Sequence, residues 1–341
     1  MKKVRLEKLQ GGEVLARPIL LDLGTVLIYE DTELKIDYIE KLAQLGVEYV
    51  YIKEKKRENQ EDFTLEEQVR LEYSQKVKEL LERHIHNNNK NIGELGEVAT
   101  NIFEQVIEQK EVLECVIEIH ERSADLYEHS VSTCVLSVLT ALKLGITPSV
   151  AKEVAIGSLL HDIGIRYIDV NYVNTELDDM SSYEVKEYKK HPVYGYSALE
   201  KEGWVSDIAK SLILSHHECI DGTGYPMHSR DNYELKQVLA VCDTFDSLIC
   251  GIGYKRRKVH EAIEYIRYYS GTKYNKKVCD IFLEFIFLYP NGTQVVLNDG
   301  RVAKVIRQNK TLKERPVICI EDTNEIIDMM KVKNIFIEKI I

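Results

Sequence analysis

No stretch of this chain approaches the roughly 18 consecutive apolar residues that a membrane-crossing helix needs. The opening Met1-Lys2-Lys3-Val4-Arg5-Leu6-Glu7 lacks the apolar core of a secretory signal. There is no C-x-x-C pair: Cys115, Cys134, Cys219, Cys242, Cys250, Cys279 and Cys319 are scattered. An odd, scattered set in a long chain argues against a disulfide framework and predicts reduced thiols in the cytoplasm. Positive charge is also short. With 45 Lys and Arg against 56 Asp and Glu, the formal charge is −11, which argues against a binder of nucleic-acid polymers. An anionic substrate stays open, because bound metal ions reverse charge locally. A P-loop, a G-x-G-x-x-G turn, a serine-hydrolase elbow and internal repeats are missing as well.

What is there reads as three parts. The 341 residues are too many for one small domain, and 44% are hydrophobic, enough to bury real cores. Residues 1–62 read as a small α+β module and a charged linker. Val14 to Leu21 and Thr25 to Tyr29 predict short strands, with Pro18 marking an edge or a break. Thr32 is placed to cap a helix through Ile36, Ile39, Leu42 and Leu45, ended by Gly46, before a strand over 47–52. Lys53 to Asp62 is the mixed-charge linker. Residues 63–290 read as all-α. They open on the capping box Thr64-Leu65-Glu66-Glu67 and continue through helices near 92–120, 124–144, 149–164, 182–190, 204–217, 235–250, 258–269 and 275–288. Residues 291–341 switch to a period of two. Gln294 to Leu297 and Val302 to Ile306 predict a hairpin around Asn298-Asp299-Gly300, with strands at 316–320 and 334–337 after it.

The chemistry concentrates in the helical part. His161-Asp162 ends the apolar helix Val154 to Leu160. His129 lies upstream with Asp125 four residues before it, and His191-Pro192 lies downstream. His216-His217-Glu218 precedes Asp221-Gly222-Thr223-Gly224-Tyr225-Pro226, and Asp243 sits in Cys242-Asp243-Thr244-Phe245-Asp246. A lone buried histidine is ordinarily a structural hydrogen-bonder, and His84, His86, His120, His228 and His260 are read so. The full set is different. Asp125, His129, His161, Asp162, His191, His216, His217 and Asp243 offer imidazole and carboxylate donors without thiolate, a mixture that suits iron, manganese or zinc. Eight donors fit two ions, or three.

These segments resemble the HD-GYP domain family, a subgroup of the HD phosphohydrolases. The resemblance rests on His161-Asp162-Ile163-Gly164, His191-Pro192 with Gly195, His216-His217-Glu218 with Asp221 to Pro226, and Asp243 with Phe245-Asp246, and it spans about residues 100–290. It implies a mainly α, HD-type helical bundle between the two small modules. It also implies a metal-dependent phosphodiesterase acting on cyclic di-GMP, or a related cyclic dinucleotide, through a metal-bridging hydroxide. The implied metal ligands are His129, His161, Asp162, His191, His216, His217 and Asp243, with Asp162 as the bridging carboxylate and Asp125 on a third ion. Gly224, Tyr225 and Pro226 are implied to flank the substrate. Two positions depart from the family: Ile165 and Ile252 stand where it usually carries phosphate-binding Lys and Arg. Lys255 keeps the last basic position and is the candidate to assist catalysis beside Asp162. The departures predict weakened phosphate binding. They favour the alternative of a catalytically weak sensor or scaffold that binds nucleotide or protein partners, such as a signalling protein or a second copy. A general HD nucleotidase is disfavoured by the Gly-Tyr-Pro loop.

Overall fold

Short runs of Val, Ile and Leu near the start of the chain cannot bury themselves singly, so they pair into sheets. The computed structural model describes residues 2–6, 9, 13–15, 19–20, 26–28, 32–35, 38–39, 41–42, 47, 49–53, 65–87, 92–108, 124–309 and 311–341. These fall into two units, residues 1–63 and 64–341. In the first lie β1 (Lys2–Arg5), β2 (Glu13–Leu15), β3 (Ile19–Leu20), β4 (Val26–Ile28), β5 (Glu33–Leu34) and β6 (Tyr49–Lys53). One sheet runs β1-β6-β2-β5, and β3 pairs with β4. Thr32 caps no helix. Its carbonyl accepts the Leu15 N–H, and β5 pairs with β2 so that Leu34 is buried beside Leu15 and Val50. Burial of Leu34 on the sheet face displaces the cap, not the helix. Residues 38–39 and 41–42 are helical. Pro18, Ile36, Leu45, Gly46, the charged linker after Lys53 and Thr64 of the expected capping box lie outside the described residues.

The second unit is mainly helical: α1 (Leu65–Asn87), α2 (Gly93–Glu108), α3 (Leu126–Lys143), α4 (Pro148–Leu160), α5 (Ser182–Tyr188), α6 (His191–Leu199), α7 (Asp207–Ser215), α8 (Glu234–Cys250), α9 (Val259–Tyr269) and α10 (Lys276–Leu283). Two helices carry the core. In α3 every residue from His129 to Ala141 is buried, and in α8 every residue from Gln237 to Cys250. A helix buried on all faces is a central one; α4, α1 and α8 pack around α3. Helix α6 falls in a stretch not expected to be helical. Pro192 near its start, where a missing N–H does no harm, was the available signal. Helix α8 ends at Gly251, whose φ of +82° lets the chain turn back with its N–H on the Ser247 carbonyl.

After α10 the chain forms an antiparallel sheet of β7 (Gln294–Leu297), β8 (Val302–Arg307), β9 (Val317–Ile320), β10 (Ile326–Asp328) and β11 (Ile337–Ile340), ordered β10-β9-β8-β7-β11. The β7–β8 hairpin turns through Asn298-Asp299-Gly300, with Gly300 at φ +84°. The last strand begins at Ile337, three residues later than the sequence pattern suggests. The Asn298 side chain bonds the Asn334 carbonyl and the Phe336 N–H and holds that stretch out of the ladder.

Candidate metal centre

Each donor sits where local structure fixes it. His129 lies in the first turn of α3 and Asp243 in the middle of α8. His161 follows α4 directly, and Asp162 opens a 3₁₀ turn over Ile163–Tyr167. His191 begins α6, and His216 follows α7. Side chains from residue 129 to residue 243 thus meet in one buried place.

They meet as two groups. His129, His161 and Asp243 form the first, and Asp162, His191, His216 and His217 the second. Asp162 touches both. Its Oδ2 lies 3.7 Å from His129 Nε2 and 3.5 Å from His161 Nε2, while its Oδ1 lies 3.3 Å from His191 Nε2 and 3.6 Å from His216 Nε2. Asp243 Oδ1 is 3.2 Å from His129 Nε2, and its Oδ2 is 3.6 Å from His217 Nδ1.

The ring tautomers follow from the far nitrogens. The Nδ1 atoms of His161, His191 and His216 each lie 2.7 Å from the carbonyl three residues back, of Ser158, Tyr188 and Ile213. A carbonyl only accepts, so each Nδ1 carries the proton and each neutral ring turns an Nε2 lone pair inward. His129 Nδ1 is instead 2.7 Å from Asp246 Oδ2. Yet Nε2 meets Nε2 at 3.1 Å between His129 and His161, and between His191 and both His216 and His217. In the His129–His161 and His191–His216 pairs both nitrogens carry lone pairs, which do not bond each other. Donors about 2.1 Å from a shared cation at right angles would stand about 3.0 Å apart, which is this spacing. Asp162 Oδ1 and Asp243 Oδ2 are also buried without a hydrogen bond, which is costly unless a cation meets them. The donor set fits divalent metal ions.

Electrostatics agree. Burial opposes charge on both carboxylates, but the surrounding imidazoles outweigh it and hold Asp162 and Asp243 well below the usual range. Burial pushes His191 down to about 4 and His217 well below its ordinary value. Burial also acts against charge on His129 and His161, but the neighbouring aspartates raise both.

Two of the expected residues are engaged by other partners. Asp125 joins neither group: it is the N-cap of α3, where its Oδ1 accepts the Tyr127 and Glu128 N–H groups. Capping an otherwise orphaned helix start competes for the same carboxylate. Lys255 is more than half exposed and pairs with Asp179 at 2.9 Å. Ile165 and Ile252 are buried together with Cys250 in a separate apolar cluster.

Beside the donors opens a cleft of about 370 Å³, and Gly224 and Tyr225 line it. Tyr225 stacks on His217 at 4.6 Å. A side chain on Gly224 would strike the Cys219 nitrogen and the His217 carbonyl, so only glycine lets the loop close down there. Pro226 follows, and buried Glu218 anchors the loop by accepting the Met227 and Ser229 N–H groups. Sequence reasoning assigned no role to Glu218 or Asp246. Their signals were position: one next to His216-His217, the other one helical turn beyond Asp243.

Residues 111–278 match the family model described as HD domain. Over this match, just under half of the chain, the sequence is similar to HD domains of the HD-GYP type. The chain is 28% identical over 217 residues to the cyclic di-GMP phosphodiesterase PA4108 of Pseudomonas aeruginosa, covering 63% of this chain and 52% of that one. It is 26% identical over 197 residues to the cyclic di-GMP phosphodiesterase PdeB of Borreliella burgdorferi, covering 56% and 50%. It thus spans about half the length of these relatives. In fold it is similar to Bd1817, an HDGYP protein from Bdellovibrio bacteriovorus, with a TM-score of 0.51 at 18% identity over 82% of this chain and 97% of that one. No helix among the described residues is long and apolar enough to cross a membrane.

Proposed function

We propose that this HD-GYP domain hydrolyses a phosphodiester of a cyclic dinucleotide, cyclic di-GMP first, to a linear or mononucleotide product. The observation that carries the reading is the pair of donor groups joined through both oxygens of Asp162, with His216 and His217 of the second group lining a tyrosine-rich cleft. His129, His161 and Asp243 would hold one divalent ion, His191, His216 and His217 another, and Asp162 would bridge them. Iron or manganese suits this nitrogen and oxygen set best, with zinc next. Bound there, such ions supply a nucleophile available at neutral pH and neutralise charge developing on the phosphoryl group.

The chain's own residues do the positioning. The Ser158, Tyr188 and Ile213 carbonyls and Asp246 fix four of the five imidazoles, those of His161, His191, His216 and His129, before substrate arrives. Tyr225, stacked on His217 and with Lys189 over its ring, closes one wall of the cleft. Relatives named as cyclic di-GMP phosphodiesterases support the substrate. The second reading, a catalytically weak sensor, is favoured by Ile165 and Ile252.

The test is metal analysis of anaerobically purified protein, with cyclic di-GMP hydrolysis measured on the same sample beside Asp162→Ala. The reading expects about two ions per chain and turnover in the wild type, with both lost in the variant. Metal-loaded wild type that binds cyclic di-GMP yet turns over no faster than Asp162→Ala would give the sensor reading instead.

A further inference from the structure

The cleft is not without positive charge; its cations stand at positions the sequence did not single out. Arg257, Lys273 and Lys189 line it, together with His216 and His217; Lys189 lies over the Tyr225 ring, on the donor side, and the other two stand on a separate aromatic row. The Arg257 guanidinium lies 5.2 Å from the centre of the Tyr265 ring, and Lys273 Nζ lies 4.2 Å from the centre of the Tyr269 ring. The two rings touch, with centroids 4.7 Å apart. Arg257, Tyr265, Tyr269 and Lys273 therefore form one continuous row, each cation held over an aromatic face, a placement that orders a flexible side chain before any ligand arrives.

Their partners point the same way. Lys273 makes no ion pair among the described residues. Arg257 has one, to Glu176 Oε1 at 3.0 Å, and Glu176 itself lines the cleft. A carboxylate on a guanidinium occupies the place a phosphate would take, since both anions match the planar fork. None of the three positions at which a phosphate cation was expected lines the cleft. Ile165 and Ile252 are packed in their own cluster, and Lys255 is turned to Asp179.

We infer that Arg257 and Lys273 form the recognition site for a second phosphate, the one not undergoing hydrolysis. The inference rests on the cyclic-dinucleotide reading above, for such a substrate carries two phosphodiesters on one ring. One would lie at the donor groups and the other on the Arg257–Tyr265–Tyr269–Lys273 row. Glu176 then acts as the resident anion that the incoming phosphate displaces.

The test uses the full chain loaded with metal and measures affinity calorimetrically for cyclic di-GMP and for 3′,5′-cyclic GMP, which has a single phosphodiester. Arg257→Ala combined with Lys273→Ala should weaken cyclic di-GMP by about 30-fold or more and cyclic GMP by less than about 3-fold. Metal content unchanged from wild type certifies that the variant is folded. Glu176→Gln, which removes the competing charge and keeps the shape, should tighten cyclic di-GMP. Equal losses for the two ligands, or no loss for either, would overturn the assignment while leaving the substrate reading standing. Wild type that holds its metal but binds no cyclic di-GMP would overturn both. If the double variant loses metal, Arg257→Gln and Lys273→Gln are measured singly, and the same preferential loss for cyclic di-GMP is required of each.

Discussion

The Gly164→Ala substitution joins the fold to the donor geometry through one methyl group. Gly164 lies in the 3₁₀ turn after Asp162, where that turn abuts the start of α6. A Cβ placed there would fall 1.9 Å from the His191 carbonyl oxygen and 2.6 Å from the Gly195 nitrogen. Both are backbone atoms, and no rotamer change relieves the clash. Ordinary contact begins near 3.4 Å, so the turn and α6 must separate by about 1.5 Å. Overpacking of this kind costs about 1–3 kcal/mol, equivalent to roughly 3–10 °C in melting temperature for a domain of this size. The larger effect is on the site. His191 Nε2 stands 3.3 Å from Asp162 Oδ1 across that junction, and metal sites tolerate errors of only about 0.2 Å. Metal affinity should fall by about 10–100-fold or more, the range for lost supporting contacts. Competition with a chromophoric chelator measures it, and melting of the metal-free protein separates packing from ligation. Gly203→Ala is the control, because no atom lies within 4 Å of its Cβ position. Wild-type affinity and a melting temperature within about 1 °C in Gly164→Ala would refute the claim that this contact sets the donor spacing.

Three further outcomes are expected. Ile165→Lys with Ile252→Arg, which restores the cations usual in the family, should lower the melting temperature without improving substrate affinity, because both isoleucines are 2% exposed in an apolar cluster; tighter binding by the double variant would show that the cluster opens to the cleft. Asp125→Ala should cost about 1 kcal/mol, the loss of an N-cap, and leave the metal content unchanged; loss of one ion would support the third-metal assignment. In the metal-free protein, burial depresses His191 to about 4, so between there and the ordinary value of about 6.5 the unfolded chain binds the proton and the folded chain does not. The stability this gives is complete above about pH 6.5 and is lost as pH falls toward 4, on the order of 3 kcal/mol. His191→Asn should flatten the acid limb of a denaturant-measured stability profile, and an unchanged slope would contradict the assignment.

Much of the helical unit was legible because its two central helices are apolar runs and because histidine with aspartate at helix ends is hard to explain otherwise. Other features were not, for identifiable reasons. Asp125 preceding an apolar helix fits a cap and a ligand equally well, and only the path of the chain decides. Lys255 and Arg257 are two residues apart. Which one faces the cleft depends on the turns at Gly251 and Gly253, both at positive φ, and sequence alone does not set their direction. Lys273 lies far along the chain from every histidine of the set, and its relevance comes only from the packing of α9 beside α8. The strand at Glu33–Leu34 was hidden because two residues carry too little period to compete with the helical pattern around them.

The histidine-to-carbonyl bonds at His161, His191 and His216 also bear on motion. Each imidazole N–H covers a carbonyl in the last turn of a helix, α4, α5 or α7, where such carbonyls otherwise lack a partner. One edge of the ring therefore holds the helix end, and the opposite edge faces the donor cluster. Fraying of any of these turns swings a ring out of place, and a cation that fixes the ring opposes the fraying. Amide hydrogen exchange should slow on metal addition in the final turns of α4, α5 and α7 together, while the sheet of β7 to β11 exchanges as before. Release of the ion would then keep time with the opening of helix ends, so the lifetime of the loaded state is set by backbone breathing as well as by the strength of the ligand bonds.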